Sequence, residues 1–275
     1  NIYFAAYKDW QEFSTTKINA PDLKKYQSKN FQAKITASQY KKAYKKIKAY
    51  IKAGDIYQIN LTHRLEATTS APARELFLKM IAENPVEYAA YIEGEDFEIL
   101  SASPERFIKI KNGKIETCPV KGTKPRGKTE KEDQEMVKEL LESEKEAAEL
   151  NMITDLLRND IGKISKIGSV KVEGHRLLSQ CPTVWHTYSK ISGELAVDAV
   201  EALISMSPGG SITGCPKKRA IEIIDELEPL TRGIYTGTIG YINNQNIDFN
   251  IAIRTIIKKD DKLYLQVGGG IVLDS

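Results

Sequence analysis

A carboxylate and an amine near the two outer ends of a predicted β-hairpin are the first residues in this sequence that could do chemistry together. Asn112-Gly113, between two short apolar segments, predicts the turn of that hairpin. With a two-residue turn, Glu105 faces Val120; with a three-residue loop, it lies opposite Lys121 on one face of the sheet. We predict the three-residue loop, because an acid and an amine at one hairpin mouth could act as a catalytic pair. A salt bridge at the sheet edge is the alternative.

A second candidate is a carboxylate on the apolar face of a helix. A helix predicted over 144–162 carries Glu149 on the same face as Met152, Ile153 and Leu156. A carboxylate buried on such a face needs a partner, because burying it alone is costly. The partner could be a structural Arg or Lys, or a hard cation such as Mg²⁺ that binds carboxylate and substrate oxygens.

A glycine-rich loop runs from Ser207 to Lys217 and ends at the predicted start of a helix, with Pro216 in its first turn. Free backbone N–H groups and the positive end of the helix dipole favour an anion there. The loop is not a nucleotide-binding Walker A motif, because Gly214 is followed by Cys215. It is therefore a candidate carboxylate site, and an ordinary flexible turn is the alternative.

A second glycine run, Gly268-Gly269-Gly270, follows the last predicted strand and permits close approach by a ligand or another strand. Arg254, on the neighbouring predicted strand, could bind a carboxylate bidentately, and Tyr235 could donate its hydroxyl. Each of these residues is more often structural than functional when considered alone. Two anion sites together with an acid–amine pair nevertheless indicate a small dianionic substrate.

Composition excludes several classes of function. The 275 residues include 40 Lys and Arg against 37 Asp and Glu, a balance that predicts neither nucleic-acid nor membrane binding. No apolar run approaches the ~20 residues of a membrane span. The three cysteines and three histidines form no zinc or disulfide pattern, so we expect a reducing cytoplasm. The sequence starts with no signal-peptide pattern and no Met, so we expect it to begin inside a longer gene product.

The elements that must position these residues are strands in hairpins and helices in blocks. A first helix, with Ser38 as cap and Gly54 at its end, places a lysine cluster on its solvated face. The other predicted helices are 73–82, 130–142, 144–162, 198–205 and 217–227, and the predicted strands are 56–67, 88–93, 97–101, 107–111, 114–117, 235–241, 247–257 and 262–267. This order favours an α+β fold with antiparallel sheets, organised as one domain over 1–275.

A series of sequence blocks follows one order along most of the chain. The blocks are Gly54-Asp55-Ile56-Tyr57-Gln58-Ile59-Asn60-Leu61, Ser103-Pro104-Glu105-Arg106-Phe107, Pro119-Val120-Lys121-Gly122-Thr123, Asp155-Leu156-Leu157-Arg158-Asn159-Asp160, Gly210-Ser211-Ile212-Thr213-Gly214-Cys215-Pro216-Lys217, Tyr235-Thr236-Gly237-Thr238-Ile239-Gly240 and Gly268-Gly269-Gly270-Ile271-Val272-Leu273-Asp274-Ser275. Together they resemble the chorismate-utilising enzymes, which include anthranilate, isochorismate, salicylate and aminodeoxychorismate synthases. The block containing Lys121 is most similar to the Pro-Ile-Lys-Gly-Thr motif of aminodeoxychorismate synthase component I, whereas anthranilate synthases typically carry Ala at that position.

The resemblance implies a fold and a set of roles. The fold would be a sandwich of large, mostly antiparallel sheets with helices outside. Lys121 would attack C2 of chorismate to form a covalent adduct, Glu105 would protonate the leaving hydroxyl, and Glu149 would bind Mg²⁺. The residues that the resemblance places around the substrate are Gly122, Thr123, His186, Ser211, Thr213, Gly214, Tyr235, Arg254, Gly268 and Gly269.

The resemblance also implies a reaction and a partner. Gln58 stands where isochorismate and salicylate synthases place a water-activating lysine, which favours amination of chorismate over hydration. The expected product is 4-amino-4-deoxychorismate for p-aminobenzoate and folate synthesis, with ammonia from a glutamine amidotransferase subunit. Anthranilate synthase component I and a truncated, non-catalytic subunit are the alternatives. Part of the family's N-terminal region, and a C-terminal tail with a second metal carboxylate, are expected to lie outside this sequence.

Overall fold

Two antiparallel sheets of seven strands each make up the β structure of the computed structural model, which describes residues 3, 5–11, 18–244 and 246–275. The strand order of the first sheet is β1 (Ser28–Ala33), β2 (Gln58–Thr69), β14 (Lys262–Ile271), β13 (Thr255–Lys259), β4 (Glu98–Ser103) and β3 (Tyr88–Glu93). The short strand β10 (Gly214–Cys215) also pairs with β2. The long β2–β14 ladder is the centre of this sheet.

The strands of the second sheet come from two parts of the chain, 106–194 and 238–251. Its order is β11 (Thr238–Asn243), β12 (Asn246–Ile251), β5 (Arg106–Lys111), β6 (Lys114–Thr117), β9 (Val184–Glu194) and β7 (Val120–Pro125), and β8 (Lys171–Gln180) also pairs with β9. The predicted α+β class with mostly antiparallel sheets is therefore confirmed.

The described helices are α1 (Ala37–Ala53), α2 (Ala73–Glu83), α3 (Glu130–Glu142), α4 (Glu144–Gly162), α5 (Ala199–Met206) and α6 (Lys217–Leu227), with a short 3-10 helix at Gly210–Ile212. Thr36, not Ser38, caps α1, because its hydroxyl accepts from the N–H of Gln39. Gly54 ends that helix in the left-handed conformation, as the sequence predicts. Among these helices, none is long and apolar enough to cross a membrane.

Three apolar clusters hold the layers together. One joins the second sheet to α4 and α5, and another joins the first sheet to α1 and α6. The third lies between the two sheets, where Ile99 packs with Ile239 and Ala252. Helices thus pack against both sheets, and the sheets contact each other through the third cluster.

The hairpin prediction was wrong in register. Asn112 and Gly113 form a two-residue turn, since Lys111 pairs with Lys114. Both turn residues adopt positive φ angles, 53° and 77°, and turns of this kind match the twist of the flanking strands. Strand β6 then ends at Thr117, and the next strand pairs with β9 instead of β5. Glu105 and Lys121 are therefore not partners in one hairpin.

The single strand predicted over 247–257 is two strands in different sheets. The chain leaves β12 after Ile251, turns at Arg254 with φ of 50°, and enters the first sheet as β13. Arg254 thus lies in the crossing and not on a strand. Tyr235 likewise precedes β11, which begins at Thr238. The apolar residues continue through the crossing, so alternation along the sequence did not reveal the break.

Candidate active site

Glu105 lies where the chain crosses from β4 in the first sheet to β5 in the second. Its backbone N–H donates to the Ser103 hydroxyl at 3.2 Å, and its carbonyl accepts from the N–H of Ile251 at 3.0 Å. Its side chain is buried and accepts a hydrogen bond of 2.7 Å from the Ser211 hydroxyl. The crossing therefore fixes one carboxyl group between the two sheets and beside the glycine-rich loop.

Burial raises the pKa of the Glu105 carboxyl above its ordinary value of 4.5. The hydrogen bond from Ser211 and the positive charge of Lys121 oppose this effect without reversing it. A carboxyl group that retains its proton at higher pH is suited to act as a general acid. Lys121 thus acts electrostatically on Glu105, although the two do not share a hairpin.

A bulge in β7 sets the position of Lys121. The pairing of β7 with β9 shifts between Lys121 and Thr123, and the intervening Gly122 has a φ of 81°. A Cβ at Gly122 would lie 2.8 Å from Thr187 Oγ1, so the site has no room for a side chain there. The Thr187 hydroxyl donates to the Lys121 carbonyl and holds the backbone on the other side of the bulge.

The amine of Lys121 approaches the second glycine run from the opposite sheet. A Cβ built on Gly270 would lie 3.9 Å from Lys121 Nζ and 2.9 Å from Gln58 Nε2. Gly268, Gly269 and Gly270 are exposed, whereas Lys121 is half-buried and Gln58 is buried. A side chain at Gly270 would therefore meet Gln58 and come close to the amine of Lys121.

His186 lies beside the bulge on β9. Its Nδ1 is 2.9 Å from the Thr123 hydroxyl and 3.3 Å from the Gly122 carbonyl oxygen. Burial, with a further contribution from the positive charge of Arg254, lowers the pKa of the imidazole. His186 is therefore held as a neutral ring with one nitrogen already bonded, and Arg254 is the exposed cation in its neighbourhood.

Tyr235 joins the buried part of the site. Burial raises the pKa of its phenol, and the side chain of Asn60 partly opposes this effect. The charge of Glu105 raises this pKa further, which places the phenol within electrostatic reach of the carboxyl group. Tyr235 is thus a neutral, buried hydroxyl on the side of the site formed by β2.

The glycine-rich loop lines the site through its backbone. The Thr213 hydroxyl is buried and donates to the Gly209 carbonyl at 2.9 Å, while the Thr213 carbonyl accepts from the N–H of Asn60 at 2.8 Å. Gly214 pairs with Ile59 in β2. The loop hydroxyls predicted to bind substrate are therefore engaged by protein groups: Ser211 contacts Glu105, and Thr213 contacts its own loop.

Comparison with known proteins identifies the family. The family model described as "chorismate binding enzyme" matches residues 5–275. The chain belongs to the chorismate-binding enzyme family. It is 41% identical over 261 residues to aminodeoxychorismate synthase component 1 of Bacillus subtilis, covering 94% of this chain and 56% of that relative. It is 45% identical over 233 residues to anthranilate synthase component 1 of Acetivibrio thermocellus, covering 84% and 47%.

A solved structure supports the same relationship. Anthranilate synthase component I from Streptococcus pneumoniae superposes with a TM-score of 0.83 at 35% identity, covering 90% of this chain and 55% of that one. The chain therefore spans about half the length of the relatives it matches. The chorismate-binding enzymes among these relatives carry two different activity names at similar identity, so likeness alone does not assign the reaction.

The metal ion that this family implies can be tested against the residues present. Glu149 is half-buried on α4, one turn after Glu146, and the Cβ of Glu146 would lie 3.4 Å from a Cβ at Gly122. The face of α4 that carries Glu146 thus packs against the strand that carries Lys121. Within the described residues no group of three His, Cys, Asp or Glu side chains could hold a metal ion. One or two carboxylates with substrate oxygens and water suit Mg²⁺, so the donor set fits a substrate-assisted site.

The structure brings most of the predicted site residues into one region, although it does not test their roles. Glu105 and Tyr235 are buried beside the half-buried Ser211, and Lys121 and His186 lie on β7 and β9 around the bulge. Reasoning from sequence missed Asn60. Its backbone N–H donates to the Thr213 carbonyl, and its side chain lowers the pKa of the Tyr235 phenol. Asn60 lies inside the block from Gly54 to Leu61 that resembles the family, and this position could have marked it as a site residue.

Proposed function

We propose that this chain carries the catalytic part of an aminodeoxychorismate synthase, which converts chorismate and ammonia into 4-amino-4-deoxychorismate for p-aminobenzoate and folate synthesis. The observation that supports this most directly is the position of Lys121. Its amine lies 3.9 Å from the position that a Cβ would take on Gly270, and its positive charge opposes the rise in the pKa of the buried Glu105 carboxyl group. Anthranilate synthases typically have Ala at this position, so an amine there favours the amination that proceeds through a lysine adduct.

The first half of the reaction is an addition with loss of water. Once Lys121 has lost its proton, its amine attacks C2 of chorismate and both ring double bonds shift, from C1=C2 to C1=C6 and from C5=C6 to C4=C5. The C4 hydroxyl then leaves with the proton that Glu105 supplies. The products of this half are water, a Glu105 carboxylate and a secondary ammonium that joins Lys121 to C2. Burial of Glu105 favours the protonated acid that the step requires.

The second half reverses the substitution at C2. Ammonia adds to C4, both double bonds shift back to C1=C2 and C5=C6, and the C2–N bond breaks, so Lys121 leaves as a neutral amine. The ammonium formed at C4 returns a proton to the Glu105 carboxylate, which restores the starting enzyme. Atoms and charge balance as chorismate plus ammonia giving 4-amino-4-deoxychorismate plus water.

The remaining site residues have binding roles in this proposal. Arg254 and the backbone N–H groups near Gly214, Gly268 and Gly269 would hold the substrate carboxylates. Neutral His186 would line the ring beside Thr123. Glu149, with a substrate carboxylate, would hold Mg²⁺, which would offset negative charge on the substrate when bound.

Ammonia would come from a second subunit. The relatives are named component 1 of their enzymes, which supports a partner component for this chain. We propose a glutamine amidotransferase subunit as that partner, with free ammonium able to replace it in vitro. We also propose a cytoplasmic location and no nucleic-acid or membrane partner.

Two other functions are alternatives to the proposed one. Anthranilate synthase component I is favoured by the 45% identity to the Acetivibrio thermocellus enzyme and by the Streptococcus pneumoniae structure. A truncated, non-catalytic subunit is the second alternative, and it predicts no turnover of chorismate. Each alternative function predicts a different outcome from the proposed one when chorismate is supplied.

The test is product analysis after the purified chain is incubated with chorismate, Mg²⁺ and ammonium. We expect 4-amino-4-deoxychorismate, identified by chromatography and mass spectrometry. Anthranilate with pyruvate would identify the first alternative, and no turnover would favour the second. Lys121→Ala should lose product formation. Lys124→Ala is the matched control, because Lys124 lies on the same strand but pairs with Glu139 at 2.7 Å.

A further inference from the structure

The outer edge of β2 has a gap in its strand pairing. Strand β10 pairs with Gln58 and Ile59, and the pairing with β1 begins only at Leu65. Between them, residues 60–63 have β14 on one side and no strand on the other. We call residues 60–63 the strand gap. Buried backbone groups at such an edge must find other partners.

Two side chains fill the strand gap. The Glu228 carboxylate accepts from the N–H of Thr62 at 2.9 Å, and the Arg232 guanidinium donates to the Asn60 carbonyl at 2.7 Å. The two side chains also bond each other twice, at 2.9 Å and 2.7 Å. The ion pair thus supplies one acceptor and one donor to β2, as a neighbouring strand would.

The guanidinium of Arg232 reaches two further segments. It donates to the Ile212 carbonyl at 2.9 Å and contacts the Thr236 hydroxyl at 3.4 Å. Ile212 follows Ser211, the donor to Glu105, and Thr236 follows Tyr235. One side chain therefore connects β2, the glycine-rich loop and the turn before β11, each of which carries a residue of the candidate site.

Burial makes this connection sensitive to substitution. The side chains of Arg232 and Glu228 are 13% and 4% exposed. A buried ion pair is sensitive to loss of either partner, because the remaining charge is left without compensation. Lysine cannot replace Arg232 fully, since an ammonium cannot bridge a carboxylate and two carbonyls in one plane.

We infer that Arg232 and Glu228 are positioning residues that hold Ser211 and Tyr235 against Glu105 by substituting for a missing strand. The inference rests on the proposed function in one respect: Glu105 must act as the acid of that reaction. Neither residue is among the site residues that the sequence predicted.

The pH dependence gives a readout that simple loss of stability would not produce. The groups that face Glu105 are Ser211 from the loop, Lys121 from β7 and Tyr235 from the turn before β11. The Ser211 hydrogen bond lowers the pKa of Glu105, so displacement of Ser211 should raise it. An acid must be protonated to act, so the alkaline limb of the kcat/KM profile should move to higher pH.

The experiment compares Arg232→Lys, Glu228→Gln and Ser211→Ala in a double-mutant cycle. We expect Arg232→Lys and Glu228→Gln to lower kcat by about tenfold or more and to move the alkaline limb upward by about 0.5 to 1 pH unit. Adding Ser211→Ala to Arg232→Lys should move the limb no further, because both changes act through one hydrogen bond. Arg219→Lys, at a more exposed ion pair near the start of α6, is the control and should leave the profile unchanged.

A titration without turnover separates this inference from the proposed function. Infrared difference titration follows the Glu105 carboxyl band, assigned with Glu105→Gln, in the free protein. The inference predicts a higher midpoint in Arg232→Lys and Glu228→Gln even if the product assay fails. An unchanged midpoint, additive shifts in the double variant, or unfolding of both single variants by circular dichroism would overturn it.

Discussion

The Ser211 hydroxyl donates a hydrogen bond of 2.7 Å to the buried carboxyl group of Glu105, across 106 residues of sequence. Glu105 comes from the crossing between the two sheets, and Ser211 comes from the loop before α6. The contact shows that the glycine-rich loop reaches the carboxyl group through a side chain and not only through backbone N–H groups. In the proposed reaction, Ser211 would then adjust the acid instead of holding a substrate carboxylate.

The pH dependence of stability tests the environment of Glu105. Burial raises its folded-state pKa above 4.5, so the contribution of the protonated group to stability is fully present below pH 4.5. That contribution is lost as the pH rises through the folded-state pKa. We predict that Glu105→Gln removes this pH-dependent loss of stability. The variant should therefore melt at a higher temperature than the natural chain at neutral pH. Thermal denaturation from pH 4 to pH 8 measures the difference.

The control for that measurement is Glu139→Gln, at a carboxylate that is 55% exposed in an ion pair with Lys124. The melting temperature of this variant should depend on pH as that of the natural chain does, because an exposed ion pair contributes little to stability. A Glu105→Gln profile parallel to the natural one would mean that the folded-state pKa is not raised.

The bulge at Gly122 should tolerate no side chain. We predict that Gly122→Ala destabilises the protein by about 2 to 4 kcal/mol, combining left-handed strain with the contact to Thr187, and that it abolishes amination. Gly113→Ala is the matched control, since Gly113 has a φ of 77° but open space around a Cβ. It should cost about 1 to 2 kcal/mol and leave activity intact. If urea denaturation gives both variants the same loss in free energy of unfolding, the steric contact at the bulge contributes nothing to stability.

Magnesium dependence tests Glu149. We predict that Glu149→Gln raises the Mg²⁺ concentration needed for half-maximal activity by about tenfold or more, because the neutral amide is a weaker ligand for a hard cation. Calorimetric titration of Mg²⁺ in the presence of chorismate gives the same comparison without turnover. Glu144→Gln, at an exposed position on the same helix, is the control and should bind Mg²⁺ with the affinity of the natural chain. Natural affinity in both variants would remove Glu149 from the proposed metal site.

The sequence predicted local structure best where the chain carries its own stop signals. Helices α3, α4 and α6 have the predicted bounds, and the capping box at Thr129 accounts for the first of them. Strands β1, β7, β8, β9 and β10 were not among the predicted strands. Most residues of β1 and β8 are exposed and few alternate in burial, whereas β9 is largely buried and was missed all the same. The crossing at Arg254 was missed for the opposite reason, since apolar residues continue on both sides of it.

The candidate site was reached partly by an incorrect route. Glu105 and Lys121 were paired through a hairpin, whereas the structure relates them through a crossing between sheets and a bulge in β7. Arg232 and Glu228 could not be found at all. In sequence they have the i, i+4 spacing of an ordinary surface ion pair, and only the folded chain shows that they are buried against β2.

The covalent adduct on Lys121 is the most direct test of the proposed reaction. The protein is incubated with chorismate and Mg²⁺ without ammonia, digested, and examined by mass spectrometry. We predict a chorismate-derived mass, less one water, on the peptide that contains Lys121, and its disappearance when ammonium is added. An unmodified Lys121 peptide under conditions in which the same preparation aminates chorismate would contradict the lysine-adduct mechanism.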